Sequence, residues 1–405
     1  MPISLLDGKR VVLGVTGSIA AYKAADLASK LSQSGAIVET VLTGDATRFV
    51  APLTFQSVTG QPAYTDADLW GARAHVLHVG LAQQADMLVI APLTAQTLAK
   101  LANGLADNLL SLTTLAATCP LVLAPAMDAG MFAHPATQAN LAQVAERGAT
   151  IVGPEEGHLA SGLVAKGRMS EPQEIVGWVR YALARGGPLE GRKVVVTAGG
   201  TQEPLDPVRF LTNRSSGKQG LALAQAALDA GADVTLIAAP VTLPIPVGVE
   251  HVPVRTAAQM AEAVLAASRD ADALLMAAAV ADFRPAAAAS QKIKKEGGAP
   301  ALGLQPTTDI LAAVAAQRQE TKRPRVVVGF AAETEDLLGN ARAKLKAKSL
   351  DLIVANDVSA ADSGFAVDTN RVILLDPWGS SEPLPLMSKT AVAEQVLDRV
   401  TKLLR

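Results

Sequence analysis

Two loops in this sequence combine glycines, hydroxyl side chains and the start of a helix, which is the composition of a phosphate-binding turn. The first, Thr16-Gly17-Ser18, follows the apolar run 10–15, and the second covers 213–220 and contains Lys218. Glycine lets a phosphate approach the backbone closely, and a helix start offers free N–H groups and a positive dipole end. A tight turn without any ligand has the same composition, and the second loop lacks P-loop spacing. These residues alone leave the ligand open.

Lysines further along the chain form a second set of groups that could bind an anion. The cluster 292–295 is basic, although a solvated surface loop is its simpler explanation without further context. Lys344 and Lys348 lie one helical turn apart, so both ammonium groups can face the same anion. The residues are therefore compatible with a polyphosphate ligand in the second half.

The elements that would position these groups are short apolar runs alternating with helical segments. Buried parallel strands are continuous runs of Val, Ile and Leu, and their alternation with helices is typical of βαβ units. Ligands of open α/β sheets bind at the carboxyl ends of the strands. We therefore predict an α/β protein with two doubly wound, Rossmann-like domains and mostly parallel sheets. The strand-forming runs are 10–15, 37–42, 87–90, 121–124, 193–196, 234–238, 274–278, 326–328 and 352–354.

The chain of 405 residues is too long for one ordinary hydrophobic core. A Gly/Pro-rich segment at 184–191 precedes a fresh strand and is the expected domain boundary. We place the first domain at 1–187 and the second at 188–405.

Composition excludes several classes of function. The net charge is only −2 and aromatic residues make up 3%, so the basic surface and stacking platforms of a nucleic-acid binder are not expected. The single cysteine, Cys119, cannot form an internal disulfide, and the N-terminus lacks a secretory pattern, so we expect a cytoplasmic protein. The uncharged run 108–127 contains two prolines and predicts a helix followed by a strand, with no membrane partner.

Four segments of the first half, in the family's order, resemble the flavin-containing cysteine decarboxylases: 91–100, 104–110, 125–128 and 134–138. The resemblance runs through 8–180 and implies FMN as the cofactor. Gln96 departs mildly from the family, because many members carry Asn there. By resemblance, the residues that would hold FMN are Gly17, Ser18, Thr43, Ala95 and Thr97.

The active-site histidine of that family corresponds to His78 rather than to the nearby His75. A histidine before a helix is otherwise most simply explained as structural or exposed. With the family pattern, His78 is expected to act as an acid or base or to orient the substrate. The implied reaction oxidises a thiol to a thioaldehyde, which provides an electron sink for loss of CO₂. Electrons then return to the resulting ene-thiolate, and the flavin carries this redox chemistry.

Two residues depart from the decarboxylase pattern. Asp128 stands where the family usually has Asn, and Ser161 stands where a mobile lid usually supplies a cysteine that protonates the ene-thiolate. Cysteine titrates near 8.5, and a serine hydroxyl is a much weaker acid. Our hypothesis is that desolvation keeps Asp128 protonated as a donor, and that Ser161 or a water held by it delivers the proton.

The second half resembles the phosphopantothenate–cysteine ligases over 188–403, on the motifs 197–209, 213–220, 277–285, 329–334 and 355–358. That family activates 4′-phosphopantothenate with CTP as an acyl-cytidylate, which the amine of cysteine then attacks. Asn213 is expected to hold the intermediate, and Lys292 to stabilise the charge that develops during activation. Mg²⁺ is expected to accompany the triphosphate.

The resemblance also implies which residues bind the co-substrate CTP. Asp282 and Phe330 would contact the nucleoside, and Lys344 and Lys348 would bind phosphates together with Lys292. The complete predicted set is Met276, Ala277, Ala278, Asp282, Lys292, Thr308, Asp309, Ile310, Leu311, Phe330, Lys344 and Lys348.

Together, the two halves resemble the bifunctional phosphopantothenoylcysteine decarboxylase / phosphopantothenate–cysteine ligase family of coenzyme A biosynthesis. The implied partners are small molecules (4′-phosphopantothenate, cysteine and CTP). Trimers of the flavin domain and dimers of the ligase domain would close a homo-oligomeric dodecamer. Two alternatives remain: a ligase with an impaired flavin domain, suggested by Asp128 and Ser161, and a non-catalytic flavin-binding scaffold.

Overall fold

The computed structural model describes residues 5–70, 76–294, 301–333, 336–357 and 367–405. The chain divides into two compact units, Ile3–Arg185 and Gly186–Arg405. His75 and Lys295, which belong to patterns discussed above, lie outside the described residues. None of the helices in those ranges combines the length and the apolarity that crossing a membrane requires.

The first unit is a parallel sheet with helices on both faces. Its strands are β1 (Arg10–Val15), β2 (Ile37–Leu42), β3 (Ala63–Tyr64), β4 (Met87–Leu93), β5 (Leu121–Pro125), β6 (Thr150–Ile151), β7 (Glu155–His158) and β8 (Val164–Arg168). Its helices are α1 (Ala21–Gln33), α2 (Pro52–Thr59), α3 (Leu77–Gln84), α4 (Ala95–Asn103), α5 (Leu109–Ala116), α6 (Ala129–Ala133), α7 (Pro135–Glu146) and α8 (Pro172–Leu183), with 3₁₀ turns at Ala46–Arg48 and Asp66–Trp70. Six strands form the sheet in the order β3-β2-β1-β4-β5-β6.

Strand β1 explains why a continuous apolar run predicted this sheet. Val11 and Leu13 pack in the core that contains α1 and α8, whereas Val12 packs in a separate core on the opposite face with α4, α5 and α7. A strand covered on both faces needs apolar side chains at every position.

The second unit has an eight-stranded sheet. Its strands are β9 (Lys193–Ala198), β10 (Gln202–Pro204), β11 (Phe210–Thr212), β12 (Asp233–Ala238), β13 (Glu250–Pro253), β14 (Ala273–Met276), β15 (Phe283–Pro285), β16 (Leu304–Pro306), β17 (Val326–Glu333), β18 (Leu352–Asp357), β19 (Thr369–Asn370), β20 (Val372–Leu375), β21 (Ser381–Pro383) and β22 (Met387–Ser388). Its helices are α9 (Lys218–Asp229), α10 (Ala257–Ala267), α11 (Ile310–Thr321), α12 (Leu337–Ala347) and α13 (Lys389–Leu404). The sheet order is β13-β12-β9-β14-β17-β18-β20-β21.

The first six strands of that order are parallel, and β20 and β21 extend the sheet in the antiparallel sense. Helices α9 and α13 pack against each other, whereas α10, α11 and α12 share a core on the other face. The predicted fold class, two doubly wound domains with mostly parallel sheets, is confirmed. The run 274–278 ends earlier than expected, because β14 stops at Met276 and the following residues form a loop.

Candidate active sites

The first candidate site lies at the carboxyl edge of the first sheet, where β1 and β4 are neighbours and the strand order reverses. Thr16 fastens the two loops that leave these strands. Its hydroxyl donates to the carbonyl oxygen of Pro92 at 2.7 Å and accepts from the N–H of Thr94 at 3.0 Å. Such a reversal point is where open α/β sheets bind ligands.

Because Gly17 has no side chain, the loop after β2 can also pack at this carboxyl edge of the sheet. A Cβ atom at this position would lie 2.4 Å from Cβ of Asp45, so the loop after β2 packs directly on the turn after β1. Thr94 caps α4 by accepting a hydrogen bond from the N–H of Thr97. The structure thus gathers the predicted cofactor residues after three neighbouring strands: Gly17 and Ser18 after β1, Thr43 after β2, and Ala95 and Thr97 after β4. A turn with a glycine and a serine hydroxyl shortly before a helix start fits a phosphate-bearing cofactor.

A cleft of about 550 Å³ opens beside this turn. Ser18 and Tyr22 form one wall, and Asp128 and Ser161 form another. The remaining lining residues are Ile19, Ala20, Lys23, Ala126, Met127, His158, Leu159, Ala160, Gly167, Arg168 and Met169. The two residues that depart from the decarboxylase pattern therefore line one cleft with the predicted phosphate turn.

Asp128 and Ser161 are directly bonded. Asp128 caps α6 by accepting from the N–H of Gly130 at 3.0 Å, and Ser161, in the turn between β7 and β8, donates its hydroxyl to Asp128 Oδ2 at 2.6 Å. The hydrogen bond from Ser161, followed by that from Gly130, lowers the pKa of Asp128. The Asp128 carboxyl is partly exposed and accepts both hydrogen bonds, which favours its ionised form over the desolvated, protonated form of our hypothesis.

His78 is not part of this cleft. It is the second residue of α3, which packs mainly against α5. His78 is absent from the side chains that line the cleft with Asp128 and Ser161, so the chain on its own does not bring the three predicted catalytic residues together.

The second candidate site lies at the carboxyl ends of β9 and β14, the reversal point of the second sheet. Two hydroxyls join the loops that follow these strands: Thr197 accepts from the N–H of Ala278 at 3.1 Å, and Thr201 accepts from the N–H of Ala281 at 2.9 Å. The amide of Asn213 donates to the carbonyl oxygen of Val280 at 3.0 Å. These contacts hold the predicted nucleotide-binding loop extended beside Asn213.

Two adjoining clefts, of about 540 Å³ and 560 Å³, flank that loop and share Ala278, Val280, Asp282, Phe330 and Lys344. The first cleft continues over the glycine loop and is lined by Asn213, Arg214, Ser215, Ser216, Gly217, Lys218, Gln219, Gly220, Ala277, Ala278, Ala279, Val280, Ala332, Asn356, Asn370 and Lys389. The second continues towards α11 and is lined by Met276, Ala278, Val280, Ala281, Thr307, Thr308, Asp309, Ile310, Leu311, Ala343, Ala347 and Lys348. All predicted CTP-binding residues except Lys292 thus line one of the two clefts.

Lys344 and Lys348 have different partners in the structure. Lys344 donates to the carbonyl oxygen of Phe330 at 2.9 Å, and Lys348 forms an ion pair with Asp309. Burial alone would raise the pKa of Asp309, but hydrogen bonds from Lys348 and from the N–H of Ala312 bring this pKa below its ordinary value. The two lysines therefore connect α12 to β17 and to the start of α11.

Lys292 is exposed and lines neither cleft, but its loop is fastened by residues that the sequence analysis did not single out. Asp206, which is buried, accepts from the N–H of Ile293 at 3.2 Å and from Arg209 Nε at 2.9 Å. The guanidinium of Arg209 also donates to the carbonyl oxygen of Ile293 at 2.7 Å and holds the pKa of Asp206 well below its usual range. The sequence did carry a signal, because Asp followed by Pro often forms a turn by accepting from nearby N–H groups.

Comparison with known proteins assigns both halves to described families. The Flavoprotein family matches residues 4–183, and the family described as DNA/pantothenate metabolism flavoprotein C-terminal domain matches residues 189–404. The chain is 46% identical over 402 residues to the coenzyme A biosynthesis bifunctional protein CoaBC of Bacillus subtilis (strain 168), covering 98% of each chain. It is 43% identical over 401 residues to the CoaBC of Vibrio vulnificus (strain YJ016), covering 98% of this chain and 99% of that protein.

Among solved structures, the C-terminal domain of a coenzyme A biosynthesis bifunctional protein CoaBC is 36% identical, covers 54% of this chain and 98% of that chain, and has a TM-score of 0.46. The full-length relatives and the two family matches identify the chain as a whole. The chain belongs to the family of bifunctional coenzyme A biosynthesis proteins, with a flavoprotein domain followed by a DNA/pantothenate metabolism flavoprotein C-terminal domain.

Proposed function

We propose that this chain joins cysteine to 4′-phosphopantothenate with consumption of CTP, and then decarboxylates the product, 4′-phosphopantothenoylcysteine, to 4′-phosphopantetheine. The ligase step is assigned to 188–405 and the decarboxylase step to 1–187. The observation that carries the proposal is the convergence of eleven predicted CTP-binding residues on two adjoining clefts at the reversal point of the second sheet.

In the ligase step, a carboxylate oxygen of 4′-phosphopantothenate attacks the α-phosphorus of CTP. The bond from that phosphorus to the bridging oxygen breaks, and pyrophosphate leaves. The amine of cysteine then attacks the acyl carbon, loses a proton, and displaces CMP. A free carboxylate is a poor acyl donor, so a mixed anhydride with a good leaving group is needed before an amide can form.

The clefts suggest how the chain's own residues support this reaction. Asp282 and Phe330, which line both clefts, would contact the nucleoside, while Lys344, Lys348 and the glycine loop at the start of α9 would bind the phosphates. Asn213, fixed against Val280, is placed to bind the acyl intermediate, and Lys292 would stabilise charge on the attacked phosphate. Within the described ranges no cluster of three or more His, Cys, Asp or Glu side chains could hold a metal. Mg²⁺ in this proposal enters bound to the oxygens of the triphosphate.

For the flavoprotein half we infer FMN, because the turn at Gly17 and Ser18 precedes α1 beside an open cleft that Ser18 lines, and Gly17 is closed to a side chain by Asp45. Thr43, Ala95 and Thr97 would complete its binding site at the same edge of the sheet. When bound, FMN supplies the two-electron oxidation of the substrate thiol and the return of those electrons. Exposed apolar side chains surround the cleft, among them Ile19, Tyr22 and Leu163. Following the family resemblance, we propose that this half forms trimers and the ligase half dimers, which together close a cytoplasmic dodecamer.

The hydrogen bond between Ser161 and Asp128 favours a second candidate function, a ligase whose flavoprotein half does not complete the reduction. The hydroxyl is a weak acid, and its proton is already engaged by a carboxylate. Delivery of a proton to the ene-thiolate from this position would therefore be slow. His78 is not among the side chains that line this cleft, and we propose that it reaches the reacting group from a neighbouring copy of the chain.

Mass spectrometry of one reaction tests both candidates. Purified protein is incubated with 4′-phosphopantothenate, CTP, Mg²⁺, cysteine and FMN. Joint formation of CMP and 4′-phosphopantetheine supports the full proposal. Accumulation of 4′-phosphopantothenoylcysteine, or of its oxidised decarboxylated derivative, supports the second candidate. A reaction that forms no CMP contradicts the ligase assignment.

A further inference from the structure

His158 is a histidine in the wall of the flavoprotein cleft, at a position that the sequence motifs did not indicate. It is the last residue of β7 and lines the cleft together with Asp128 and Ser161. His78, which the family pattern selects as the active-site histidine, is absent from that lining. Among the described residues that line the cleft, His158 is therefore the only histidine.

The turn between β7 and β8 carries both His158 and Ser161. The N–H of Leu159 donates to the carbonyl oxygen of Leu163 at 2.8 Å, and the N–H of Gly162 donates to the carbonyl oxygen of Leu159 at 2.9 Å. These bonds close the turn, with His158 at its base and Ser161 near its tip. Both side chains thus reach the cleft from one hairpin.

The hairpin is docked on the loop that carries Asp128. The N–H of Met127 donates to the carbonyl oxygen of Gly167 at 3.0 Å. A Cβ atom at Gly167 would lie 2.2 Å from the carbonyl oxygen of Met127, so the two backbones are in direct contact. The hydrogen bond from Ser161 to Asp128 adds a second point of attachment. His158 is consequently held at the cleft by the backbone that carries it.

The imidazole of His158 is free to bond a ligand. The residue is exposed, and within the described ranges no hydrogen bond or ion pair involves its ring. His134, by contrast, uses Nδ1 to accept from the N–H of Ala136 and so caps α7. The hydroxyl of Ser161 is also engaged, because it donates to Asp128.

The proposed reaction in this cleft needs a proton donor. Loss of CO₂ leaves an ene-thiolate, which must gain a proton on the carbon that carried the carboxylate before the electrons can return. A positioned acid works best when its pKa lies near the working pH. Histidine is the side chain whose ordinary pKa, about 6.5, meets that condition, whereas a serine hydroxyl is a far weaker acid.

The other ionisable side chains of the cleft are poor donors at neutral pH. Tyr22 and Lys23 on α1 and Arg168 on β8 line it, and side chains of these three types have ordinary pKa values of about 10 or above. Lys23 and Arg168 are in addition paired with Glu171. The hydrogen bonds that Asp128 accepts lower its pKa and favour the carboxylate, which has no proton to give. The imidazole is the remaining acid.

We propose that His158 protonates the ene-thiolate in this chain, in place of the cysteine that the family pattern expects at Ser161. The proposal rests on the proposed decarboxylase activity. An N–H bond of the imidazolium breaks, and a C–H bond forms with the electron pair of the carbon–carbon double bond. The thiolate thereby becomes a thioaldehyde, and the two electrons taken from the substrate thiol earlier in the turnover return to it as a hydride equivalent. The neutral imidazole then regains a proton from water.

The test supplies 4′-phosphopantothenoylcysteine directly to the FMN-loaded full chain, so the ligase reaction is not needed. His158→Gln should lower the ratio of 4′-phosphopantetheine to the oxidised decarboxylated product about 100-fold, because a positioned acid contributes that much or more. In the parent protein this ratio should fall as the imidazolium is titrated with rising pH, and the variant should lose that dependence. His251→Gln, exposed on β13 of the second unit, is the control and should match the parent.

Chemical rescue separates proton delivery from a structural role. In His158→Ala, added imidazole should restore the product ratio in proportion to its concentration, a response that a misplaced hairpin would not give. An unchanged product ratio in His158→Gln would overturn the proposal.

Binding of the oxidised decarboxylated product distinguishes failure of this proposal from failure of the proposed function. Its Kd is measured by calorimetry at about pH 6 and about pH 8, with FMN bound and again without it. Ionisation of the ligand is common to all the proteins, so only the difference between them counts. A preference for the lower pH that is lost in His158→Gln and kept in His251→Gln supports the proposal even if the parent forms no 4′-phosphopantetheine. The same pH dependence in the parent and His158→Gln would overturn it even if decarboxylation is complete.

Discussion

The hydroxyl of Ser161 donates a hydrogen bond of 2.6 Å to Asp128 Oδ2, and both residues line the cleft beside the Gly17 turn. The two residues that depart from the decarboxylase pattern are therefore one hydrogen-bonded pair. Because the pKa of Asp128 is lowered first by Ser161 and then by the N–H of Gly130, the pair is a carboxylate with a hydroxyl donor. Proton delivery and substrate charge can be tested separately by changing one member at a time.

We expect Ser161→Cys to accelerate the final protonation. A thiol with a pKa near 8.5 is a far better acid than a hydroxyl, and a positioned proton donor contributes about 100-fold or more. The ratio of 4′-phosphopantetheine to the oxidised decarboxylated product should therefore rise, as measured by mass spectrometry after a fixed time. Ser57→Cys, on the exposed side of α2, is the control for an added thiol. An unchanged product ratio in Ser161→Cys would remove the position from the proton-delivery step.

Asp128→Asn should lower the KM for 4′-phosphopantothenoylcysteine. Asparagine keeps the cap on α6 but removes an anion that repels the substrate carboxylate. The change should be about 2- to 5-fold, which is the range for exposed charge pairs. Asp26→Asn, on the surface of α1, controls for the altered net charge. A KM that stays constant or rises would show that the Asp128 anion does not oppose the substrate.

Gly17→Ala should abolish most FMN binding. The added Cβ would lie 2.4 Å from Cβ of Asp45, so the two loops must separate, at a cost of about 1–3 kcal/mol. Retained flavin, read from absorbance, and the Kd from fluorescence titration measure the effect, which should be tenfold or more. In Gly80→Ala nothing lies within 4 Å of the new Cβ, so flavin content should be normal. Normal FMN affinity in Gly17→Ala would place the cofactor elsewhere.

The buried strands were predictable from the sequence, because a strand that is buried on both faces carries apolar residues at consecutive positions. The segments 11–15 and 121–124 contain no polar side chain, and both lie in interior strands of the sheet. The hairpin β7–β8 has no such apolar pattern, because it is largely exposed and contains Glu155, Glu156 and Lys166. Short exposed strands are set by their neighbours in space, which a pattern along the chain does not record.

The candidate sites were predictable as sets of residues but not as contacts. The motif positions of the ligase half converge on two clefts, because the motifs 197–209, 277–285, 329–334 and 355–358 lie at the carboxyl ends of neighbouring strands of the same parallel sheet. The sequence did not indicate the environment of Asp128, which depends on its exposure and on Ser161, a residue 33 positions away. The bond from Ile293 to Asp206 joins residues 87 positions apart, so neither motif alone indicated it.

Asp206→Asn should slow cytidylate formation, because Asp206 holds the loop that carries Lys292. Removing the charge weakens the bonds that Asp206 accepts from Arg209 and Ile293, so the loop that carries Lys292 loses its anchor. Cytidylate formation should fall roughly tenfold, and Lys292→Gln should lower it about 100-fold. Because Asp206 acts through Lys292, the double variant should be no worse than Lys292→Gln alone. Lys294→Gln is the control in the same loop, and additive losses in the double variant would argue against a positioning role.

Asp272→Asn should destabilise the second unit at neutral pH. Asp272 is 8% exposed at its side chain, accepts from Arg323 at 2.6 Å and from the N–H of Lys193 at 3.1 Å, and so fastens the amino ends of neighbouring strands. Burial alone would raise its pKa, but Arg323 and the N–H of Lys193 bring it below the ordinary value. We expect a loss of about 1–3 kcal/mol in the free energy of unfolding, measured by denaturant titration of the full chain.

The lowered pKa of Asp272 also predicts how its contribution to stability changes with pH. A carboxyl whose pKa is lower in the folded state stabilises the protein above its unfolded pKa of about 3.9. That contribution is lost as the pH falls through the folded pKa. The difference in the free energy of unfolding between the parent protein and Asp272→Asn should therefore be largest at pH 7 and should shrink below about pH 4. Asp270→Asn removes a 65% exposed carboxylate from the same loop and should cost little at either pH. If the difference in the free energy of unfolding grew on acidification, the lowered pKa of Asp272 would be contradicted.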